Sequence, residues 1–217
     1  VRISSADAAA IGPAFARKLA AAELNSPGDA LALFLETVAS QMGKIRWGDK
    51  TPNQVFHLDR IWQDFPQARF VHIVRDPRAV CWSLLKRARR GRGNSNERLL
   101  AIETLAGWYF ANISCEIFAR RYPHQYVRLR YEDLVSGPVE TMTALMEKVL
   151  PSSRWDFCSI GAQDNRHQLY ANRMRTGALT LETIKLDDAW QHEMPSRVRA
   201  FVQALSTPLR ARYGYEA

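Results

Sequence analysis

The sequence predicts an α/β fold in which helices flank a parallel sheet, and three observations carry that expectation. Two short runs, Arg69 to Val74 and Tyr126 to Tyr131, have the length and apolar content of strands, and helical patterns separate and follow them. The resulting order, β-α-β-α, is that of strands joined by a crossover helix, which pair in parallel. The 217 residues, 47% of them hydrophobic, are enough to bury one sizeable core, so residues 1–217 are expected to form a single domain.

Periodicity and punctuation place the elements in order. An alanine-rich helix is expected to about Leu24, then a break at Ser26-Pro27-Gly28-Asp29. A second helix, Ala30 to Gln41, carries Leu31, Phe34, Leu35 and Val38 at helical spacing. After the short segment Lys44 to Trp47, Thr51 caps and Pro52 starts a helix through about Asp64, with Val55, Leu58, Ile61 and Trp62 inward, and Phe65-Pro66 ends it. Arg69 to Val74 reads as a buried strand. Asp76 caps the next helix, and Pro77 takes its first position, where a missing N–H costs nothing. That helix turns Val80, Cys81, Leu84, Leu85 and Ala88 to the sheet and leaves Ser83 at the border of the stripe. Beyond the loop Gly91 to Asn96, a helix from Glu97 to about Arg121 is apolar on most faces, so deep packing is expected, and Pro123 closes it. In the second strand Val127 and Leu129 alternate with Arg128 and Arg130; Gly137-Pro138 then leads into a helix, Val139 to Val149. A last helix, Ser196 to about Arg212, carries Val198, Phe201, Val202, Leu205 and Leu209.

Composition bounds the function without choosing it. The net charge of +8 suits an anionic small molecule and suits nucleic acid equally. Cys81, Cys115 and Cys158 are scattered, with no metal-ligand spacing, so reduced thiols, a cytoplasmic location and no metal site are expected. No run is long enough to span a membrane and no signal peptide is visible.

The most informative stretch is Arg75-Asp76-Pro77-Arg78-Ala79-Val80-Cys81-Trp82-Ser83. It puts an arginine at a strand's carboxyl end and a serine two helical turns on, at the edge where open α/β sheets bind ligands, and a helix N-terminus beside an arginine suits a phosphate monoester. This stretch closely resembles the 3′-phosphate-binding segment of sulfotransferases that use 3′-phosphoadenosine 5′-phosphosulfate (PAPS), of the bacterial and glycan type. Gly48-Asp49-Lys50-Thr51-Pro52, the run Phe65 to Leu85 and Tyr131-Glu132-Asp133-Leu134 extend the resemblance in family order, from Trp47 to Leu150 well and elsewhere loosely. It implies a P-loop-NTPase-like parallel sheet, the sulfotransferase fold. The implied reaction is in-line transfer of a sulfuryl group from PAPS to a hydroxyl or amine of a small-molecule, glycan or lipid acceptor, releasing adenosine 3′,5′-bisphosphate (PAP).

On that resemblance Arg75 and Ser83 hold the 3′-phosphate, Tyr131 meets the adenine, and Arg175 and Gly177, in Asn172 to Gly177, close over the 3′-phosphate. Lys50 matches a lysine near the transferred sulfate, where a mobile point charge serves as electrophile; a surface lysine paired with Asp49 is its structural alternative. Arg78 is expected to be solvated. His57, Asp49 and a carboxylate in residues preceding Val1 all qualify as general base, and the sequence does not choose. The basic run Lys86, Arg87, Arg89, Arg90 and Arg92 is either a solvated helix end or a cradle for an anionic acceptor. The family also opens with a strand and a Gly/Ser/Thr-rich loop around the 5′-phosphosulfate, and nothing before Lys50 has that shape; the expectation is that residues preceding Val1 carry it.

Two other classes compete. A P-loop kinase would need Gly-Lys-Ser/Thr, whereas the chain has Gly43-Lys44-Ile45. A nucleic-acid-binding module would account for the charge but not for an arginine and a serine at a strand-to-helix edge, and no nucleic-acid partner is expected.

Overall fold

Ser26 decides where the second helix begins. Its hydroxyl accepts the backbone N–H of Asp29 at 3.1 Å while the Asp29 carboxylate takes the Ser26 N–H at 2.8 Å, a reciprocal cap that satisfies two donors at once. The tetrapeptide expected as a break is therefore the first turn itself, and the helix starts at Pro27 rather than Ala30. The computed structural model describes residues 5–90, 96–151 and 185–215, side chains from residue 9 on. The chain divides into two compact units.

In the first unit, residues 5–68, helix α1 (Ser5–Ala21) packs on α2 (Pro27–Gln41), with Phe15 edge-on to Phe34 at 5.4 Å. The single helix expected from Thr51 to Asp64 is instead a 3₁₀ turn, Pro52–Phe56, and α3, Leu58–Asp64. The break lies at His57 (φ −127°, ψ 21°), and the Thr51 hydroxyl makes no capping bond; it donates to Asp49 at 3.1 Å. Gly28 lets α2 approach α3: a Cβ there would lie 2.5 Å from the Asp64 Cβ. Gly28→Ala is accordingly expected to destabilise the protein by about 1–3 kcal/mol, the usual range for overpacking. A lowered urea midpoint would show it; an unchanged one would mean that α2 and α3 are not this close.

In the second unit, β1 (Phe70–Val74) pairs in parallel with β2 (Tyr126–Arg130), from Phe70 opposite Tyr126 to Val74 opposite Arg130. The βαβ order predicted a parallel pair, and the described residues contain one. Between the strands run α4 (Pro77–Arg90) and α5 (Glu97–Arg121); after β2 come α6 (Tyr131–Ser136), α7 (Pro138–Val149), α8 (Trp190–Glu193) and α9 (Ser196–Arg212). The core joins α4, α5 and α9 through Cys81, Trp82, Leu85, Leu105 and Val202.

Two burial expectations fail for one reason: the described helices cover the sheet and α5 on one side each. In β1, Phe70 meets Phe118 at 4.5 Å and Val74 packs with Trp108 and Tyr213, whereas Val71 and Ile73 on the opposite face are exposed. On α5, Leu105, Trp108 and Phe118 are buried, but Leu99, Ile102, Phe110, Ile113 and Ile117 form an exposed apolar stripe.

The covered face of the sheet holds a titratable group. The imidazole of His72 lies 2.5 Å from the Tyr126 hydroxyl, edge-on to Tyr213, and its pKa falls from 6.5 to about 4. Burial is the main cause; Arg128 pushes the same way, against Asn112 and Glu116. Below pH 6.5 the unfolded chain takes up a proton that the folded chain refuses down to pH 4, so stability should fall across that window and level off beneath it. After allowance for partial exposure the loss is on the order of 2 kcal/mol. Urea titrations of the protein and of His72→Gln at pH 7 and pH 4.5 would read it as a stability difference that grows at the lower pH only if the histidine is buried and neutral.

Candidate functional site

Residues 75 and 76 link β1 to α4 without belonging to either, and the sequence explains how the link is drawn tight. The Asp76 carboxylate accepts the Arg78 N–H at 2.8 Å, capping α4, with Pro77 as its first residue. The Arg78 guanidinium folds back on the same carboxylate, with Nε 3.1 Å from both oxygens and Nη2 at 2.8 Å from Oδ2. This corrects the expectation for Arg78. Both side chains are less than 10% exposed, and the outer face of Arg78 lies over the Trp190 ring at 4.2 Å. A pair spaced two residues apart looks solvated in a sequence, yet the cap geometry brings the guanidinium inward. Removing one partner of such a pair characteristically costs several kcal/mol, because the other is left charged and buried.

With Asp76 occupied, Arg75 turns elsewhere. Its Nη2 meets the half-exposed Asp187 carboxylate at 3.3 Å, its guanidinium lies 4.7 Å from the centre of the Tyr131 ring, and its Nε is buried without a hydrogen-bond partner. A buried, unsatisfied guanidine N–H is unusual and costly. The structure thus brings Arg75 and Tyr131 together at the carboxyl ends of the paired strands. Ser83 is half-buried on α4. A cavity of about 400 Å³ opens beside Asp187, bounded by Arg78, Arg130, Glu132, Trp190 and Tyr215.

The backbone of the link is held by side chains that the sequence reading did not single out. Trp108 Nε1 donates to the Arg75 carbonyl at 3.0 Å, and the Asp76 N–H donates to Glu132 at 3.1 Å. The Tyr215 hydroxyl contacts Glu132 Oε2 at 2.6 Å and the Val74 carbonyl at 3.2 Å. Beside them Arg130 lies over the Tyr215 ring at 4.4 Å, its Nε buried without a hydrogen-bond partner. Of this set Glu132 stands in a recognisable motif and Arg130 in the alternation of the second strand; Trp108 carries no motif signal.

The other sequence candidates fall as follows. Lys50, in the first unit, is exposed in the extended stretch before Pro52. Asp49, its proposed ion-pair partner, is engaged instead by Thr51 and by the Gln54 side-chain amide. His57 is exposed at the break before α3. Arg175 and Gly177 lie outside the described residues, as does Arg92. Within the basic run Lys86 pairs with Glu193 at 3.2 Å and Arg89 with Glu97 at 2.7 Å, so two of its cations are already used. Among the described residues no group of three or more His, Cys, Asp or Glu side chains could hold a metal, and no helix is long and apolar enough to cross a membrane. Cys81 and Cys115 are buried free thiols whose pKa burial raises to about 11, which keeps them protonated and unreactive near neutrality.

Fold and site together define an α/β protein that presents a cation at a strand-to-helix edge. Residues 6–149 match the family model described as the sulfotransferase family, and the chain belongs to that family. The match takes in α1 and α2, which the motifs alone covered only loosely. Among solved structures the chain is similar to the sulfotransferase domain from the curacin biosynthetic pathway, with 19% identity and a TM-score of 0.55 over 87% of this chain and 68% of that one. At that identity the likeness is one of fold. No curated protein sequence matches the chain.

Proposed function

We propose that this sulfotransferase takes its sulfuryl group from PAPS and passes it to a hydroxyl or amine of an acceptor, with Arg75 and Ser83 receiving the 3′-phosphate. The observation that carries this reading is Arg75 itself: a partly exposed guanidinium at the strand-to-helix edge whose only ion pair among the described residues is with a half-exposed carboxylate. Those residues fit a phosphate monoester, since a planar fork of donors beside a helix N-terminus favours a dianion. Tyr131 lies against the guanidinium, and a tyrosine ring is a surface on which a purine can stack. Bound PAPS supplies an activated sulfuryl group; the chain's part is to hold the partners in line and to stabilise spread negative charge, for which Lys50 is the mobile cation.

The test is nucleotide discrimination. The protein should bind PAP more tightly than adenosine 5′-monophosphate, and calorimetry that returned equal affinities would overturn the assignment of the donor site.

A further inference from the structure

Arg75 can discriminate a 3′-phosphate only if its backbone is fixed, and neither strand nor helix fixes it. The strand ends at Val74 and the helix begins at Pro77; Asp76 is tied to α4 through its carbonyl and its carboxylate, whereas Arg75 belongs to neither element. We propose that Tyr215 and Glu132 are positioning residues for Arg75, forming a Tyr215-to-Glu132-to-Asp76 fastener that sets where its guanidinium points. The proposal rests on the reading of Arg75 as the 3′-phosphate residue.

The chemistry of the fastener is directional. A phenol has one proton, and the shorter contact, 2.6 Å, assigns it to the Glu132 carboxylate, with the Val74 carbonyl at 3.2 Å as the weaker arm. The other carboxylate oxygen accepts the Asp76 N–H at 3.1 Å. One carboxylate therefore joins the chain's C-terminal segment to the residue after Arg75, while the Trp108 indole holds the Arg75 carbonyl from a third direction. Tyr215 reaches this place because Gly214 adopts φ +73°, a turn that residues with a Cβ resist, and its ring lies under Arg130. It is only 5% exposed, and burial raises its pKa above the ordinary tyrosine value, so it remains a donor at any working pH. Burial alone would not require this arrangement: the hydroxyl, not the ring, makes the link.

The experiment compares the ratio of PAP to adenosine 5′-monophosphate affinity in four proteins by calorimetry, with the melting temperature of each. Tyr215→Phe and Glu132→Ala should each lower the ratio roughly five- to tenfold while leaving the monophosphate affinity in place, as expected for losing a charge-assisted bond that acts through Arg75. Glu132→Gln should stay within about twofold of the unaltered protein, since the amide oxygen still accepts the Asp76 N–H and the amide nitrogen can donate to Tyr215. A purely structural role would lower the melting temperature of the variants without moving the ratio, and folded Tyr215→Phe and Glu132→Ala proteins with an unchanged ratio would overturn the proposal. Equal affinities in the unaltered protein would instead overturn the donor-site reading and the proposal with it.

Discussion

Arg75→Ala is expected to erase most of the preference for PAP over adenosine 5′-monophosphate. The two nucleotides differ only in the phosphate that Arg75 is proposed to meet, so the ratio of affinities isolates that contact from stacking and from the 5′-phosphate. The side chain is one-quarter exposed and its Nε is fully shielded from water. A charge-assisted bond in such surroundings contributes about 1.5–3 kcal/mol, and the ratio should fall between roughly tenfold and a hundredfold. The fold should survive, because the Asp187 carboxylate is half exposed and a pair of this kind adds at most about 1 kcal/mol. The same pair supplies a control of opposite sign. Asp187→Asn removes the carboxylate that competes for Arg75, so PAP binding should tighten by up to about fivefold. Isothermal titration of both variants with both nucleotides checks the pair of expectations; an Arg75→Ala protein that kept the full preference would show that another cation reads the 3′-phosphate.

The strand, turn and helix around Arg75 were legible because their signals are local. Asp76 and Pro77 specify a helix start wherever they fall, and the apolar run before them fixes the strand. The partners that hold the turn were not legible. Trp108, Glu132 and Tyr215 lie 33, 56 and 141 positions from the backbone groups they bind, and Tyr215 lies 83 from the Glu132 carboxylate, separations that leave no local pattern to detect. A Tyr-Gly-Tyr sequence just past a helix end was the one hint, since a glycine there permits the reversal that brings Tyr215 back. Arg78 was misjudged for a related reason: its partner is two residues away, but only the cap conformation makes the pair buried. Periodicity also overstated burial on α5 and β1. It identifies an apolar face without showing whether any part of the molecule covers it, and on both elements it marked more faces than the described residues cover. The break at His57 escaped because Pro52 and the apolar spacing suit a 3₁₀ turn followed by a short helix as well as one long helix.

Lys50→Ala should show the bias opposite to that of Arg75→Ala, with turnover reduced far more than nucleotide affinity. In sulfuryl transfer negative charge spreads over the moving group and the bridging oxygen as the bond to the donor breaks, so a cation placed there gains most at the transition state. Losing one such stabilising contact costs on the order of a hundred- to a thousandfold in rate. PAP lacks the sulfuryl group, so its affinity should change by no more than about threefold, within the modest contribution of an exposed charge. The ground state of Lys50 is consistent with such a role: it is exposed, and the carboxylate of Asp49 is spent on Thr51 and Gln54 rather than on the ammonium. Lys50→Arg should recover only part of the rate, because a planar fork cannot follow the moving charge as a compact ammonium on a four-carbon stem does. The comparison is made by measuring PAP release at saturating donor and acceptor alongside PAP binding. Unchanged turnover with weakened binding would assign Lys50 to the nucleotide's phosphates and leave the bridging oxygen to another cation.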